Sequence, residues 1–590
     1  MSSTYQQIVS FPKGNKWSIE YIYKLYCSKF TYQHFEMKGI FYVLLVCLIF
    51  NVGAVSAQVA IPPIVPPFTV NINGSPQGGH LFMSAIDMLN PTSDWPSTVM
   101  LLDEEAELLF YMPITNVSAA PYPRRAVGDF KMHPDGRMSF TDALFGPIGN
   151  IYIMDSTFFI VDTLNCTPPY KLDGHDFVIS SDGHYHLLAM EERVMDASAL
   201  TTESGQAGDV NCVVTGHIIQ EFDENKILVG EWKSLDHYAL SDIYQYYFTD
   251  PLAMDHAHVN SLFVDFEGNY IISSRSLNEI TRIDHQTGDI IWRLGGKNNE
   301  FTFLIDTLQF TSQHDAQYYS DGTLVLFDNA TNTIPDNVSR MLTYDLDDVN
   351  MTVSPVINFQ HPLNFPSGFM GSARTLNSDN FIISWGGGYD YSQGKSIQEF
   401  DDLWNEVLSV DLYDGFASYR AIKSELSWAV NRPVIECNDG TMILSTFDNY
   451  SSYYWSTGET TPTITISSPG SYQVWTNVGD GFMSSEVFEV LDLNDLCGVS
   501  GVSELDERNI SVYPVPANNG ITVDWGENSN GVIEIVIYDL IGREVYQQIA
   551  DQGAKQMLLN TQEIPSGMYT LRMTDRSNSG IIERKISIAH

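Results

Sequence analysis

The chain has 590 residues, which is more than one ordinary domain holds and predicts several. With 30 Lys and Arg against 73 Asp and Glu, its formal net charge is -43, so it would repel a polyphosphate backbone, which argues against nucleic-acid binding. The 44% of hydrophobic and 17% of charged residues are typical of folded cores under an acidic surface.

The N-terminal segment predicts export. Residues 37–57 have a basic start, an apolar run and small residues at Val55 and Ala57, which is the pattern of a secretory signal peptide cleaved after Ala57. The apolar run of about a dozen residues is shorter than the ~20 that span a membrane, and an N-terminal anchor is the alternative. Residues 1–36 are interpreted as an upstream start-site overcall.

Four cysteines follow the signal peptide. Nearness in sequence would pair Cys166 with Cys212 and Cys437 with Cys497, although sequence alone leaves the connectivity open. No Cys-x-x-Cys or Cys/His group has zinc-finger spacing, so no structural metal is expected.

Residues 58–430 predict an all-β region, because short apolar or alternating runs are separated by Asp-Gly and Asn-Gly turns. A polar or His-containing start, a turn and a strand recur, with copies at 175–188, 258–275, 314–329 and 370–385 and a partial copy at 130–137. Four strands in about 50–60 residues make one β-propeller blade, so we predict a six-bladed propeller. A β-solenoid or stacked sandwiches are the alternative.

A smaller β module follows at 431–493. Its Trp-bearing strand, polar turn and Gly-Ser-Tyr-x-Val strand are typical of a small Ig-like sandwich. Residues 494–508 form a polar linker.

The last segment, 509–590, is predicted to be a C-terminal β-sandwich. It contains four ordered motifs: Tyr513-Pro-Val-Pro, Asp539-Leu-Ile-Gly-Arg, Pro565-Ser-Gly-Met-Tyr and the terminal Lys585. These motifs resemble the type A C-terminal sorting domain of the type IX secretion system. The resemblance implies passage through the periplasm to a secreted or outer-membrane cell-surface location.

Three repeat copies carry histidine at one register. His175, His258 and His314 each open a strand eight to ten residues before the turn glycine. Equivalent positions of propeller blades are related by rotation about one axis, so inner strands would bring these imidazoles together, as in a functional site. For each histidine alone, a hydrogen-bonded strand cap is the alternative.

Several chemistries are weighed for this histidine set. A metal is disfavoured, because adjacent members of a His-Asp doublet should point to opposite faces of a strand. Gly-x-Ser-x-Gly and phosphate-loop motifs are absent. Nucleophilic attack by histidine on a phosphoryl or sulfuryl centre remains, with Arg275 and Asn260 holding the anionic oxygens. A strand-end ion pair is the alternative for Arg275.

Six motifs then match a family in order: 254–262, 272–275, 291–296, 313–316, 326–329 and 370–373. Together with Ser418-Tyr-Arg they resemble the arylsulfotransferases (ASST) over roughly 100–428. The resemblance implies a six-bladed propeller that transfers a sulfuryl group from an aryl sulfate ester to a phenol. It also implies a ping-pong route through a sulfohistidine, without the nucleotide donor PAPS, so no cofactor is expected.

The same resemblance assigns roles to the candidate residues. His314 of the Gln-His motif would be the sulfated nucleophile, and His258 and His175 would bind sulfate and exchange the phenolic proton. Asn260 and Arg275 would bind the sulfate. The family often has Arg where this chain has Ser312 and Gln317, and Gln where it has Arg374, which leaves substrate preference open.

Two other functions remain as alternatives. One is a non-catalytic cell-surface propeller that binds glycans or another ligand, and the other is an aryl sulfatase that uses water as the acceptor. The expected partners are an aryl sulfate donor, a phenolic acceptor and the type IX secretion machinery. The oligomeric state stays open, with a homodimer as one option.

Overall fold

The computed structural model describes residues 61–88, 95–114, 126–144, 149–305, 309–331, 338–360, 364, 366–376, 380–388, 396–413, 415–437, 441–490, 493, 511–513, 520–525, 533–538, 543–550, 554–562, 564–575 and 580–588. The predicted overcall at 1–36, the signal peptide at 37–57 and the linker at 494–508 lie outside these residues.

The described chain is predominantly β. The first twelve strands are β1 (Phe68–Ile72), β2 (His80–Asp87), β3 (Ser97–Leu102), β4 (Leu108–Ile114), β5 (Gly128–Met132), β6 (Met138–Thr141), β7 (Ile151–Met154), β8 (Ile160–Leu164), β9 (Lys171–Ile179), β10 (Tyr185–Met195), β11 (Cys212–Phe222) and β12 (Leu228–Lys233).

The helical turns lie in the next part of the chain. They are α1 (Ser234–His237) and the 3₁₀ helices η1 (Leu240–Asp242), η2 (Gln245–Tyr247) and η3 (Arg275–Leu277). The strands here are β13 (Ala253–Asp255), β14 (Val259–Val264), β15 (Tyr270–Ser274), β16 (Glu279–Ile283), β17 (Ile290–Gly295) and β18 (Thr302–Phe303).

Strands continue to residue 424. They are β19 (His314–Tyr318), β20 (Thr323–Asp328), β21 (Arg340–Asp347), β22 (Thr352–Gln360), β23 (Ser367–Phe369), β24 (Ser372–Thr375), β25 (Phe381–Ser384), β26 (Gly387–Gly388), β27 (Ile397–Phe400), β28 (Glu406–Leu412), β29 (Phe416–Ala417) and β30 (Ala421–Ser424).

The remaining strands are short in the middle segment and longer at the end. They are β31 (Ile435–Cys437), β32 (Ile443–Thr446), β33 (Tyr453–Trp455), β34 (Thr463–Thr465), β35 (Gly470–Tyr472), β36 (Val474–Val478), β37 (Gly481–Ser484), β38 (Phe488–Val490), β39 (Ser511–Tyr513), β40 (Gly520–Asp524), β41 (Ile533–Tyr538), β42 (Glu544–Ile549), β43 (Gln556–Asn560), β44 (Gly567–Asp575) and β45 (Gly580–Ile588).

Besides the two-stranded pair of β23 and β26, six larger sheets organise the described residues between 68 and 424. In order from the inner strand outward they are sheet A (β30, β2, β3, β4), sheet B (β5 to β8), sheet C (β9 to β12), sheet D (β14 to β17), sheet E (β19 to β22) and sheet F (β24, β25, β27, β28). Each inner strand contacts the inner strand of the next sheet, and β24 of sheet F contacts β30 of sheet A. The six inner strands therefore form a closed ring.

Each neighbouring pair of sheets encloses an apolar cluster. Strand alternation supplies both faces: Leu324 and Leu326 enter the cluster between sheets D and E, whereas Val325 and Phe327 enter the one between E and F. The remaining clusters lie between A and B, B and C, C and D, and F and A. The continuous apolar runs of these strands follow from burial on both faces.

Both ends of this region close the ring. The inner strand of sheet A, β30, comes after sheet F in the chain and pairs with β2. The N-terminal strand β1 pairs with β28 at the outer edge of sheet F. Sheets A and F are therefore tied together by segments from opposite ends of the region.

Three strands of the segment at 431–493 do not form a sheet of their own. Strand β37 pairs with β4, and β36 and β33 follow it, so they extend sheet A outward. Arg432 Nη1 lies 3.0 Å from Asp103 Oδ2 across this junction. The Ig-like interpretation of the segment stays a prediction.

The described C-terminal strands form two sheets, β39–β40–β43 and β42–β41–β44–β45. Apolar side chains of both sheets, including Ile521, Ile535 and Leu571, share one buried cluster. This is the arrangement of a β-sandwich.

The predicted pairing of Cys166 with Cys212 is wrong, because both thiols are free. Cys212 lies in the apolar cluster between sheets C and D, whereas Cys166 packs against the cluster between B and C. The two thiols therefore face opposite sides of sheet C. Cys437 is disulfide-bonded, and Cys497 lies outside the described residues.

Candidate active site

The inner strands are interrupted by β-bulges near the candidate residues. Register shifts occur in β5 between Gly128 and Lys131, in β14 between Val259 and Ser261, and in β19 between His314 and Gln317. A fourth lies in β9, opposite Leu187 and Leu188 of β10. A bulge redirects side chains and is frequent beside functional sites. Here it places polar side chains at the ring of inner strands.

His175 is held by a buried carboxylate. Its Nδ1 hydrogen-bonds Asp173 Oδ1, and 19% of its side chain is exposed. Tyr419 OH donates a 3.0 Å hydrogen bond to the His175 carbonyl oxygen. Gly174 permits this close packing, because a Cβ atom there would lie 2.6 Å from the carbonyl carbon of Ala143.

His258 makes the equivalent interaction with a second carboxylate. Its Nδ1 lies 2.5 Å from Asp255 Oδ2, and its ring centroid lies 5.0 Å from that of His175. Its φ of 49° is in the left-handed region, directly before β14. In both histidines the bond at Nδ1 leaves Nε2 for other contacts.

His314 is bound by neutral acceptors. Its Nδ1 lies 3.0 Å from the carbonyl oxygen of Ser312 and 2.6 Å from Asn329 Oδ1. Asn329 Nδ2 donates to two backbone carbonyls, of Ser367 and Met370, at 3.0 Å each, which fixes the orientation of the amide. Because Nδ1 faces two acceptors it carries the proton, and Nε2 keeps its lone pair.

The electrostatic surroundings keep the candidate nucleophile neutral. Burial lowers the pKa of His314 well below its usual value, and the positive charge of Arg275 lowers it further. Burial and Arg275 also lower the pKa of His258, against the raising effect of Asp255. Arg275 thus acts electrostatically on both imidazoles.

Arg275 follows β15 and is braced by an aromatic ring. Its Cζ lies 4.9 Å from the ring centroid of Tyr247, whose hydroxyl hydrogen-bonds Ser312 Oγ. Arg275 Nε is buried and has no hydrogen-bond partner among the described residues. A buried guanidinium N–H without an acceptor is a donor available to an anion.

Asn260 lies one residue beyond Val259 in β14 and is fully buried. Its Nδ2 donates a 2.8 Å hydrogen bond to the carbonyl oxygen of Gln313, next to His314. Its Oδ1 has no partner within the described part of the chain. Asn260 therefore joins the inner strands of sheets D and E beside His314.

The structure thus brings the five predicted residues together. We call them the histidine cluster: His175, His258, His314, Asn260 and Arg275. The resemblance to a family had already drawn attention to the segments with Asn329 and Tyr419, but without a role for either. Asp255 likewise lies in the matched segment 254–262 without a role, whereas Asp173, His217 and Tyr247 were missed, because they belong neither to the repeated pattern nor to a matched segment.

A second group of charges lies on the same ring of inner strands. We call it the ion-pair cluster: Asp129, Lys131, Asp176, Asp315, Arg374 and Arg420. Arg420 Nη1 lies 2.6 Å from Asp129 Oδ1 and its Nη2 lies 3.0 Å from Asp176 Oδ2. Lys131 Nζ contacts the same two carboxylates at 2.7 and 2.5 Å.

The His-Asp doublets differ from the expected alternation. His175 contacts His258, and the next residue, Asp176, pairs with Lys131 and Arg420. Both members of the doublet reach neighbouring inner strands, because the bulge in β9 breaks the two-residue alternation.

Among the described residues, no group of three or more His, Cys, Asp or Glu could hold a metal ion.

Two residues that depart from the resembled family are in contact. Arg374 Nη2 lies 2.8 Å from Asp315 Oδ1. With its amide oxygen turned toward Arg374, Gln317 accepts from Nε at 2.9 Å and from Nη2 at 3.2 Å. Arg374 lies on sheet F, and its guanidinium neutralises the carboxylate of Asp315 on sheet E.

A cavity of about 440 Å³ does not coincide with the histidine cluster. It is lined by residues at the C-terminal ends of β5, β9 and β14, such as Met132, Ser180 and Phe266, and by Arg374 and Asp315. None of His175, His258 and His314 lines it. The candidate site is therefore defined by the geometry of the histidine cluster, with its unpaired donor and neutral imidazole, and not by cavity size.

In the described part of the chain, no helix has the length and apolar character needed to cross a membrane.

Comparison with solved structures finds distant similarities. A protein of unknown function from Bacteroides caccae is 11% identical, with 58% of this chain and 98% of that chain covered and a TM-score of 0.35. PorZ, a surface component of the type-IX secretion system of Porphyromonas gingivalis, is 12% identical, with coverages of 84% and 68% and a TM-score of 0.29. Virginiamycin B lyase from Staphylococcus aureus is 9% identical, with coverages of 71% and 99% and a TM-score of 0.28.

No curated protein matches the chain. Two family models match it. The model of the secretion system C-terminal sorting domain matches residues 511–589, which indicates export to the cell surface or the exterior. The model of the arylsulfotransferases matches residues 77–420, which is more than half of the chain and includes the whole histidine cluster. The chain therefore belongs to the arylsulfotransferase (ASST) family.

Proposed function

We propose that this protein transfers a sulfuryl group from an aryl sulfate ester to a phenol through a sulfohistidine at His314, without PAPS. The observation that carries the proposal is the state of His314. Its Nδ1 is held by Ser312 and Asn329, its Nε2 keeps a lone pair, and the charge of Arg275 opposes its protonation. A neutral imidazole beside an unpaired guanidinium donor is suited to attack an anionic sulfate ester.

The first half-reaction would form the sulfohistidine. The Nε2 lone pair of His314 bonds to sulfur while the bond from sulfur to the aryl oxygen breaks. Arg275 and Asn260 would hold the non-bridging oxygens, and the leaving oxygen takes the Nε2 proton of His175 or His258, which starts as a carboxylate-held imidazolium and becomes neutral. In the second half-reaction that imidazole takes the proton of the phenol, whose oxygen bonds to sulfur as the sulfur–nitrogen bond breaks.

The surroundings of Arg275 support an aromatic substrate. Three partly exposed tyrosines of one segment, Tyr244, Tyr246 and Tyr247, contact one another with tilted rings, at centroid distances of 5.4 and 4.6 Å. Tyr246 OH accepts a hydrogen bond from Asn278, so its ring is held in place. A substrate whose sulfate lies at Arg275 would place its aryl ring near these rings, where aromatic contacts are favourable.

The domain organisation is part of the proposal. The closed ring of six sheets supports a six-bladed propeller at 58–430 as the catalytic domain. The proposed Ig-like module at 431–493, the linker at 494–508 and the sorting domain at 509–590 would follow it. A signal peptide at 37–57 would send the chain through the periplasm to the type IX machinery.

The test of the reaction uses the full-length protein with 4-nitrophenyl sulfate and a phenol. We expect sulfated phenol, nitrophenol release that depends on phenol concentration, and an intact mass increased by one sulfuryl group when phenol is omitted. His314→Asn should reduce transfer by at least about 10³-fold and abolish the mass increase, because the nucleophile is removed.

His186→Asn is the matched control, because His186 is as buried as His314, at 3% exposure, and burial lowers its pKa to about 4. Its ring nitrogens contact Tyr270 and Ser180, away from Arg275. Nitrophenol release that is independent of phenol would instead make the protein a sulfatase. Tight ligand binding without turnover, retained in His314→Asn, would make it a binding propeller.

A further inference from the structure

Asp173 contacts two histidines, and the proposed reaction uses only one of them. Its Oδ1 accepts from Nδ1 of His175, and its Oδ2, which has no hydrogen-bond partner among the described residues, lies within ion-pair distance, 3.3 Å, of Nε2 of His217. The carboxylate is 3% exposed. A carboxylate placed so deeply needs positive charge around it, since an isolated buried charge is strongly disfavoured.

His217 is well placed to carry that charge. It belongs to β11, the third strand of sheet C, and is 2% exposed. Its Nδ1 has no hydrogen-bond partner among the described residues, and its Nε2 faces Oδ2 of Asp173. Its ring centroid lies 6.1 Å from that of His258.

We propose that His217 and Asp173 form a buried imidazolium–carboxylate pair that sets how readily His175 exchanges its proton. This rests on the proposed function, in which His175 is one of the proton-exchanging imidazoles. His217 is then a positioning residue: its positive charge offsets part of the negative charge of Asp173, so that Asp173 orients His175 without holding its proton too tightly. The charged groups that act on His217 are Asp173 and Asp255, together with the imidazoles of His256 and His258.

The protonation of His217 agrees with this arrangement. Burial alone would lower the pKa of His217, but its contact with Asp173 and the charge of Asp255 raise it. The same histidine contacts drive the pKa of Asp173 below its usual value, although burial opposes this. Both shifts favour the charged pair.

The first test is the pH dependence of kcat/KM for the phenolic acceptor, since this step requires neutral His175. His217→Gln keeps a donor near Asp173 but removes the charge, so the acidic limb should move to higher pH by about one unit. Asp173→Asn removes the negative charge and should move the same limb to lower pH. The opposite directions separate an electrostatic role from damage to packing.

The matched control is His256→Gln. His256 is also buried and lies one residue from Asp255, but its Nε2 bonds the carbonyl oxygen of Ala239 and it contacts no carboxylate at hydrogen-bonding distance among the described residues. In His256→Gln, the acidic limb of the pH dependence of kcat/KM should stay at the wild-type pH. A His217→Gln curve that is lower at every pH, with an unmoved limb, would show a structural role and overturn the proposal.

A second measurement does not require turnover. The full-length protein with ¹³C-labelled histidine can be titrated by NMR, with the His175 signal assigned through its loss in His175→Gln. The titration midpoint of His175 should rise in His217→Gln and fall in Asp173→Asn. If no sulfate is transferred at all, the proposed function is wrong, and unchanged midpoints would independently refute the role of His217.

Discussion

The histidine cluster and the ion-pair cluster occupy the same ring of inner strands but differ in how their charges are satisfied. In the ion-pair cluster, Lys131, Arg374 and Arg420 each lie within 3.0 Å of a carboxylate oxygen. In the histidine cluster, Arg275 keeps an unpaired buried Nε and His314 is held neutral. Arg420 Nε also lacks a hydrogen-bond partner among the described residues, so the ion pairs are what distinguish the two clusters: Arg420 lies against two carboxylates, and no described carboxylate pairs with Arg275.

The largest expected effect comes from removing one arginine of the ion-pair cluster. Arg420→Ala leaves Asp129 and Asp176 with Lys131 as their shared cation, so the free energy of unfolding should fall by about 3–5 kcal/mol. Urea denaturation of the full-length protein measures it. Lys171→Ala is the control, because its ion pair with Glu192 is half exposed on both sides and should change stability by less than about 1 kcal/mol. Equal losses in the two variants would contradict the comparison.

The next largest effect is expected from Arg275 of the histidine cluster. Arg275→Gln should lower kcat/KM for aryl sulfate by about 10²–10³-fold, because a donor aimed at developing charge is lost. Its unfolding midpoint should change little, since the Nε of Arg275 satisfies no described side chain. Arg193→Gln, which removes a partly exposed guanidinium paired with Glu191 and Asp236, should leave kcat/KM unchanged. A strongly destabilised Arg275→Gln with normal kinetics would place Arg275 with the structural charges.

The smallest effect sharpens the comparison within the ion-pair cluster. Arg374→Gln and Gln317→Arg should each destabilise the protein, whereas the double variant should recover part of the loss. The contact of both residues with each other and with Asp315 predicts a coupling energy of about 0.5–3 kcal/mol in a double-mutant cycle. Additive unfolding energies would mean that the two positions are independent.

Much of the fold followed from the sequence because alternation and turns report burial directly. The strand Thr323–Asp328 reads as a continuous apolar run, and its residues enter two different clusters between sheets. The strands that close the ring did not follow, because β30 pairs with β2 from more than 300 residues away. Cys166 and Cys212 also show the limit: nearness in sequence did not reveal that they face opposite sides of one sheet.

The repeat also located most of the candidate site. His175, His258 and His314 share one register, and they lie on or directly before inner strands. Their partners Asp173, Asp255 and His217 could not be found in this way. Bulges displace residues from the two-residue pattern, and His217 comes from the third strand of its sheet, so only three-dimensional packing brings it near.

The pairing of β37 with β4 changes how much of the edge of sheet A is exposed. A four-stranded sheet ends in a row of free backbone donors and acceptors, which can recruit strands of other chains and start aggregation. In sheet A, β37 pairs with Phe110 and Tyr111 of this row, and the described edge moves outward to the three-residue strand β33. The strands after residue 430 therefore cover part of an edge of sheet A that would otherwise be open to strands of other chains.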